Sequence, residues 1–170
     1  TVLDTARLKY LLGRHLSVDS RSVHAVIIGE HGDSELAVWS GANISGVPLN
    51  DFCELRGHYQ HEESMKRIYE DVRDSAYEII EKKGATYYGI AMAVSRIASS
   101  IIRNEHSIMP VSALLEGQYD GLEGLCLSVP SIVGKNGLEK VLDIQLNANE
   151  HQALHDSAAQ LKAVIDHIGL

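Results

Sequence analysis

A histidine flanked by glycines, in Gly29-Glu30-His31-Gly32-Asp33-Ser34, ends the apolar run Val23-His24-Ala25-Val26-Ile27-Ile28. Imidazole changes charge near neutral pH, so a histidine presented on a loop can act as an acid and a base. The glycines keep their neighbours from crowding whatever lies opposite. Upstream, Asp4 and Arg7 stand three residues apart in a helical pattern. At 100° per residue both project on or beside the apolar face of Leu8, Leu11 and Leu12. A carboxylate favours the imidazolium and sets which ring nitrogen faces outward, and a guanidinium fork fits the two oxygens of a carboxylate. These are residue types that cooperate in acid/base chemistry. Each piece also has a plainer reading: a surface turn around His31, and an i,i+3 ion pair at the edge of a core.

The elements that must position these groups follow from spacing. Residues 2–16 read as a helix closed by Gly13 or the Ser17-Val18-Asp19-Ser20 turn, and residues 23–28 as a strand. From Asp4 to Leu16 the chain travels ~18 Å at 1.5 Å per residue, and from Val23 to Gly29 it can return ~20 Å. If strand and helix run antiparallel, His31 arrives beside Asp4 and Arg7.

Beyond the loop, residues 36–40 read as a strand, 41–49 as turns, and 51–56 as a short helix. Met65, Ile68, Val72, Ala76 and Ile79 mark a long amphipathic helix with an acidic start and a basic end, stopped at Gly84. A second helix over 87–104 is apolar on nearly all sides and is expected to be buried at the core or an interface. Thr86 precedes it, where an N-cap belongs, and its hydroxyl could equally face a bound anion. Residues 108–115, 125–133 and 138–146 read as a meander turning at Lys135-Asn136-Gly137, before a helix marked by Leu154, Ala158, Leu161, Ile165 and Ile168. The fold expected is α+β, with antiparallel strands packed against long helices in a single domain spanning 1–170.

With 45% hydrophobic residues among 170, one sizeable core can be buried. The 15 basic against 23 acidic residues give a formal charge of −8, which disfavours nucleic acid and anionic membrane surfaces. No apolar run approaches ~20 residues and no signal peptide is evident, so a soluble, cytoplasmic protein is expected. Cys53 and Cys126 need not pair. The chain starts at Thr1 within a helical pattern, which reads as a C-terminal piece of something longer. It carries neither a Gly-x-Gly-x-x-Gly nor a Walker-type loop. His58 and His61 make a His-x-x-His pair in a polar segment, and His151 and His155 lie four apart with Gln152 where a zinc protease needs glutamate. No metal is expected from either, and the second pair is assigned to a solvated face.

Together Leu3-Asp4-Thr5-Ala6-Arg7, Gly29-Glu30-His31-Gly32-Asp33-Ser34 and Lys83-Gly84-Ala85-Thr86 resemble the C-terminal, catalytic half of the NAD-dependent L-lactate dehydrogenases, most closely of a bacterial kind. The resemblance runs from residue 1 to 170 and implies that no Rossmann half is present. It implies that His31 exchanges a proton with the substrate as hydride passes to or from NAD, and that Asp4 fixes and charges its imidazole. Arg7 would hold the carboxylate of a 2-oxo or 2-hydroxy acid, Thr86 would line the substrate pocket, and Ile90 would pack against the nicotinamide. It further implies a homo-oligomer, commonly a tetramer. His24 matches an effector histidine for fructose 1,6-bisphosphate, while Lys9 stands where the family's arginine usually is. The family's dinucleotide-binding half, mobile-loop arginine and main substrate-discriminating position would lie upstream of Thr1, leaving residues 1–170 inactive alone. Malate and other L-2-hydroxyacid dehydrogenases share much of this pattern, although Glu30 and the Asp33-Ser34 ending lean toward lactate. The residues leave two other classes open, a metal-dependent hydrolase built on the histidine pairs and a non-catalytic oligomerisation module built on helix 87–104.

Overall fold

Leu8, Leu12 and Leu16 recur at helical spacing and form one fully buried stripe, which makes Val2–Leu16 helix α1 in the computed structural model. That structure describes residues 1–59 and 61–169. Ser17 ends α1 in the left-handed conformation, where its amide and that of Val18 satisfy the carbonyls of Arg14 and Gly13.

The strand expected over 23–28 divides in two. β1 (Val23–His24) pairs with β4 (Asn43–Ile44), which turns back on β5 (Val47–Pro48), whereas β2 (Ile27–Ile28) pairs with β3 (Leu36–Ala37). Each half answers to a different partner, so the run breaks between them. The strand expected over 36–40 likewise shortens, although the Val38 amide still donates to the Val26 carbonyl at 3.0 Å. Adjacent residues on a strand face opposite ways, and here Ile27 enters one core and Ile28 the other. The first core joins α1, α2 (Leu49–Leu55) and α3 (His61–Lys83) through Leu8, Leu12, Cys53, Met65, Ile68 and Val72. The loop carrying His31 therefore leaves the seam between the two cores.

The second core lies under an antiparallel meander, β6 (Ser107–Glu116), β7 (Glu123–Gly134) and β8 (Gly137–Val141), joined at its first turn by α5 (Gln118–Gly121) and covered by α6 (Ala148–Ile168). The third strand ends five residues before the expected 146: the Leu142 amide still reaches the Pro130 carbonyl, but Ile144 and Leu146 pack on the core outside the ladder. A capping box opens α6, where the Asn147 side chain accepts from the Glu150 amide and the Glu150 carboxylate accepts from the Asn147 amide. The same buried carboxylate accepts from the backbone and hydroxyl of Ser40, fastening α6 to the segment after β3. Cys53 and Cys126 are both free thiols. Among the described residues no helix is long and apolar enough to cross a membrane.

Helix α4 (Tyr88–Ile102) is not buried in this chain's own core, which leaves an interface as the other expected cover. Its sequence reads as apolar all round, yet only Ala93 and Ser100 are buried, while Tyr88, Met92 and Ile102 are more than 70% exposed. The helix meets this chain along a narrow strip, where Gly89 lies against the Leu3 side chain and the Ser100 hydroxyl donates to the Val133 carbonyl. No other described element covers its outer face. Tyr87, not Thr86, occupies the N-cap, with no side-chain capping bond.

Candidate active site

The loop between β2 and β3 is folded and anchored. Gly29 adopts a positive φ of 98°, and a Cβ there would sit 2.9 Å from the Ser157 hydroxyl of α6. Its backbone exchanges two hydrogen bonds with Ser128 of β7, at 2.9 and 3.0 Å. The next amide, of Glu30, donates to Ser157 Oγ at 2.8 Å, and Ser34 Oγ lies 3.1 Å from the same oxygen while donating to the Glu30 carboxylate. That carboxylate fills the space over Gly32, where a Cβ would collide with Glu30 Oε1. On the other side, Thr5 Oγ1 of α1 accepts from the Ile27 amide at 2.9 Å, fixing β2 against the helix that bears Asp4 and Arg7.

These anchors bring the three expected groups together. His31 Nδ1 lies 3.1 Å from Asp4 Oδ2, and Arg7 Nη1 donates to Asp4 Oδ1 at 3.2 Å. Asp4 is buried, Arg7 partly so, and His31 largely open to solvent. The contact with Asp4 lifts the imidazole pKa above its usual 6.5 and outweighs partial burial, which opposes it. Burial alone would push the Asp4 carboxyl up, but the contact and charge of His31, with help from the Arg7 guanidinium, hold it below its usual range. With Nδ1 turned to Asp4, Nε2 is the ring nitrogen left to face a reactant.

A fourth group escaped the sequence reading. Glu35 is 5% exposed, and its Oε2 lies 4.0 Å from His31 Nδ1 while Oε1 is buried without a hydrogen-bond partner among the described residues. The chain at its own carbonyl is held by the hydroxyl of Tyr69 from α3. Burial, followed by the neighbouring Asp4 charge, pushes the Glu35 carboxyl from 4.5 up to about 7. The folded state therefore holds this proton more tightly than the unfolded chain, so the stability Glu35 contributes is lost as pH rises from about 4.5 to about 7. Glu35→Gln removes the charge at nearly constant shape. It is expected to gain about 1–3 kcal/mol of folding stability at pH 8 relative to its effect at pH 5, checked by urea unfolding at both pH values. An identical effect at the two would show that Glu35 does not titrate in this range.

Thr86 and Ile90 are exposed at a cleft of about 220 Å³ that also includes Leu3, Arg7, Lys83 and Gly89, so both share a wall with the guanidinium. Lys9 and His24 line a different cavity, of about 510 Å³, with Thr5 and Ile108. His58 packs against His15, ring centroids 4.7 Å apart, and among the described residues neither His58 nor His61 belongs to a potential metal cluster. Asp4, His31 and Glu35 do form such a group, as do Asp120, His151 and His155.

Residues 1–169 match the family described as lactate/malate dehydrogenase, alpha/beta C-terminal domain. The chain belongs to that family. An L-lactate dehydrogenase of Acetivibrio thermocellus is 55% identical over 165 residues, covering 97% of this chain and 52% of the relative. Another, from Bacillus caldolyticus, is 50% identical over 97% of this chain and 51% of its own length. Among solved structures, MGS-M5, a lactate dehydrogenase enzyme from a Medee basin deep-sea metagenome library, gives a TM-score of 0.95 at 41% identity, covering 100% of this chain and 54% of that one. This lactate/malate dehydrogenase domain thus spans about half the length of the curated relatives it matches. Its α+β architecture is that of its structural neighbours, as the resemblance implied.

Proposed function

We propose that residues 1–170 are the catalytic half of an NAD-dependent L-lactate dehydrogenase, which interconverts pyruvate and L-lactate when completed by a dinucleotide-binding half. The observation that carries this reading is the buried Asp4 carboxylate bridging His31 on one oxygen and Arg7 on the other. Names of relatives about 50% identical support lactate over malate.

Among the described residues Arg7 donates from Nη1 to Asp4, and its remaining guanidinium nitrogens make no protein hydrogen bond, which leaves donors for a substrate carboxylate. His31 Nε2 would give its proton to the substrate's carbonyl oxygen and take it back in the reverse direction, while Asp4 stabilises the charged ring. Thr86 would border the bound acid. NADH supplies the hydride when bound. Ile90, about half exposed in the Arg7 cleft, fits the apolar face of a nicotinamide ring, whereas the sequence offers no glycine-rich cradle for the phosphates. The exposed apolar side of α4 supports a homo-oligomer. Lys9 and His24 in one cavity support a sugar bisphosphate effector there.

The reading is tested by joining residues 1–170 behind the dinucleotide-binding half of the Acetivibrio thermocellus relative. NADH-dependent pyruvate reduction is expected in the hybrid and not in residues 1–170 alone, with an apparent KM that fructose 1,6-bisphosphate lowers. A folded, NADH-binding hybrid with no turnover would overturn the assignment, and an unresponsive KM would remove the effector.

A further inference from the structure

Away from the catalytic groups, the fold assembles a second set of metal-ligating side chains. His151 and His155 lie four residues apart on α6 and so share a face, and Asp120 reaches them from the α5 turn. One donor atom from each lies within 4.8 Å of the other two. His151 Nδ1 and Asp120 Oδ2 approach to 3.2 Å, yet the ring nitrogen is buried and makes no hydrogen bond among the described residues. That spacing matches two ligands of one ion: with bonds of ~2.0–2.1 Å, neighbouring donors in a tetrahedral site stand ~3.3 Å apart.

Both sides of the cluster are held in place. The Asn147 carbonyl accepts from the His151 amide in the capped first turn of α6, which sets the helix backbone beneath both imidazoles. Beside Asp120, Tyr119 is fully buried and donates from its hydroxyl to the Leu142 carbonyl at 2.6 Å. Tyr119 and Asp120 both take positive φ, of 54° and 60°, a conformation rarely adopted by side-chain-bearing residues, and it turns the Asp120 carboxylate back toward α6. The nearby Asp156 carboxylate is engaged by the Gln152 amide.

We propose that Asp120, His151 and His155 bind a divalent late first-row transition metal, with zinc the chief candidate and solvent completing the coordination. Two imidazoles and a carboxylate suit zinc, copper or nickel, while magnesium and calcium favour all-oxygen sets. The ion would clamp the α5 turn to α6. The site is separate from Asp4, His31 and Arg7 and does not depend on the dehydrogenase assignment. The sequence showed only the helical histidine pair; the third ligand lies 31 residues upstream of His151 and became visible through the left-handed turn.

The test titrates zinc sulfate into metal-stripped protein, reading binding by calorimetry and stability by thermal unfolding, with cobalt absorption reporting the coordination geometry. Wild-type protein is expected to bind zinc with a rise in Tm. H155Q and D120N, each at an exposed or half-buried position, are expected to weaken this binding by more than about tenfold, since loss of even an outer partner of a metal ligand costs that much. D120N also serves should H155Q fold poorly. Absence of zinc binding to the wild type would overturn the proposal. So would unchanged binding in both variants, which would place the ion elsewhere, for instance at Asp4, His31 and Glu35.

Discussion

His31→Ala in the completed enzyme is expected to lower kcat by about 10²–10⁴-fold while a non-reacting carboxylate analogue of pyruvate still binds. The imidazole is largely open to a reactant, and its Nδ1 lies 3.1 Å from the Asp4 carboxylate. Alanine removes the donor but leaves the Arg7 bond to the other Asp4 oxygen, so the anchor for a carboxylate survives. A pH profile sharpens the test. Because the contact with Asp4 raises the imidazole pKa, the protonated ring persists above pH 6.5, and pyruvate reduction declines as pH rises through the elevated value. Asp4→Asn takes away the charge and is expected to move that decline to lower pH. Single-turnover kinetics and analogue binding measure both effects. Normal turnover by the alanine variant, or an unmoved profile in the asparagine variant, would sink the proton-donor role.

Arg7→Lys is expected to raise the KM for pyruvate by about 10–100-fold, corresponding to the loss of one charge-assisted hydrogen bond and its geometry. Charge is conserved in this variant, so a purely Coulombic role predicts little change. A bidentate role predicts a large one, because an ammonium cannot offer two parallel N–H groups to a carboxylate. Lysine would also keep an i,i+3 pairing with Asp4, which protects the imidazole partner. Steady-state KM and kcat for the hybrid separate these cases. An unaltered KM would reduce Arg7 to the ion pair at the core edge that its spacing alone also allows.

The parts of this site that could be read in the sequence were those set by local periodicity. Helical spacing put Asp4 and Arg7 beside the leucine face, and the lengths of α1 and the returning strand residues sufficed to bring His31 to them. Glu35 was missed because its character is tertiary: it follows Ser34 in a polar run, and only packing beneath the loop, with Tyr69 holding its carbonyl, buries the carboxyl. The apolar run over 23–28 predicts one continuous strand, but hydrophobicity does not reveal that β1 and β2 take different partners. Helix α4 shows the opposite limit. Its apolar composition signals burial, and composition cannot say whether the covering surface belongs to the same chain. Thr86 satisfies a capping rule that local geometry does not honour, and its exposed side at the Arg7 cleft is the more informative position.

Ser157 ties the loop's shape to a distant piece of the chain. Its hydroxyl receives the Glu30 amide across 127 residues of sequence, directly beside the space that Gly29 leaves open. The alignment of His31 therefore rests on a contact of high sequence separation, made only where α6 docks. Local opening of that helix would loosen the loop that holds His31 without altering Asp4, Arg7 or His31 themselves.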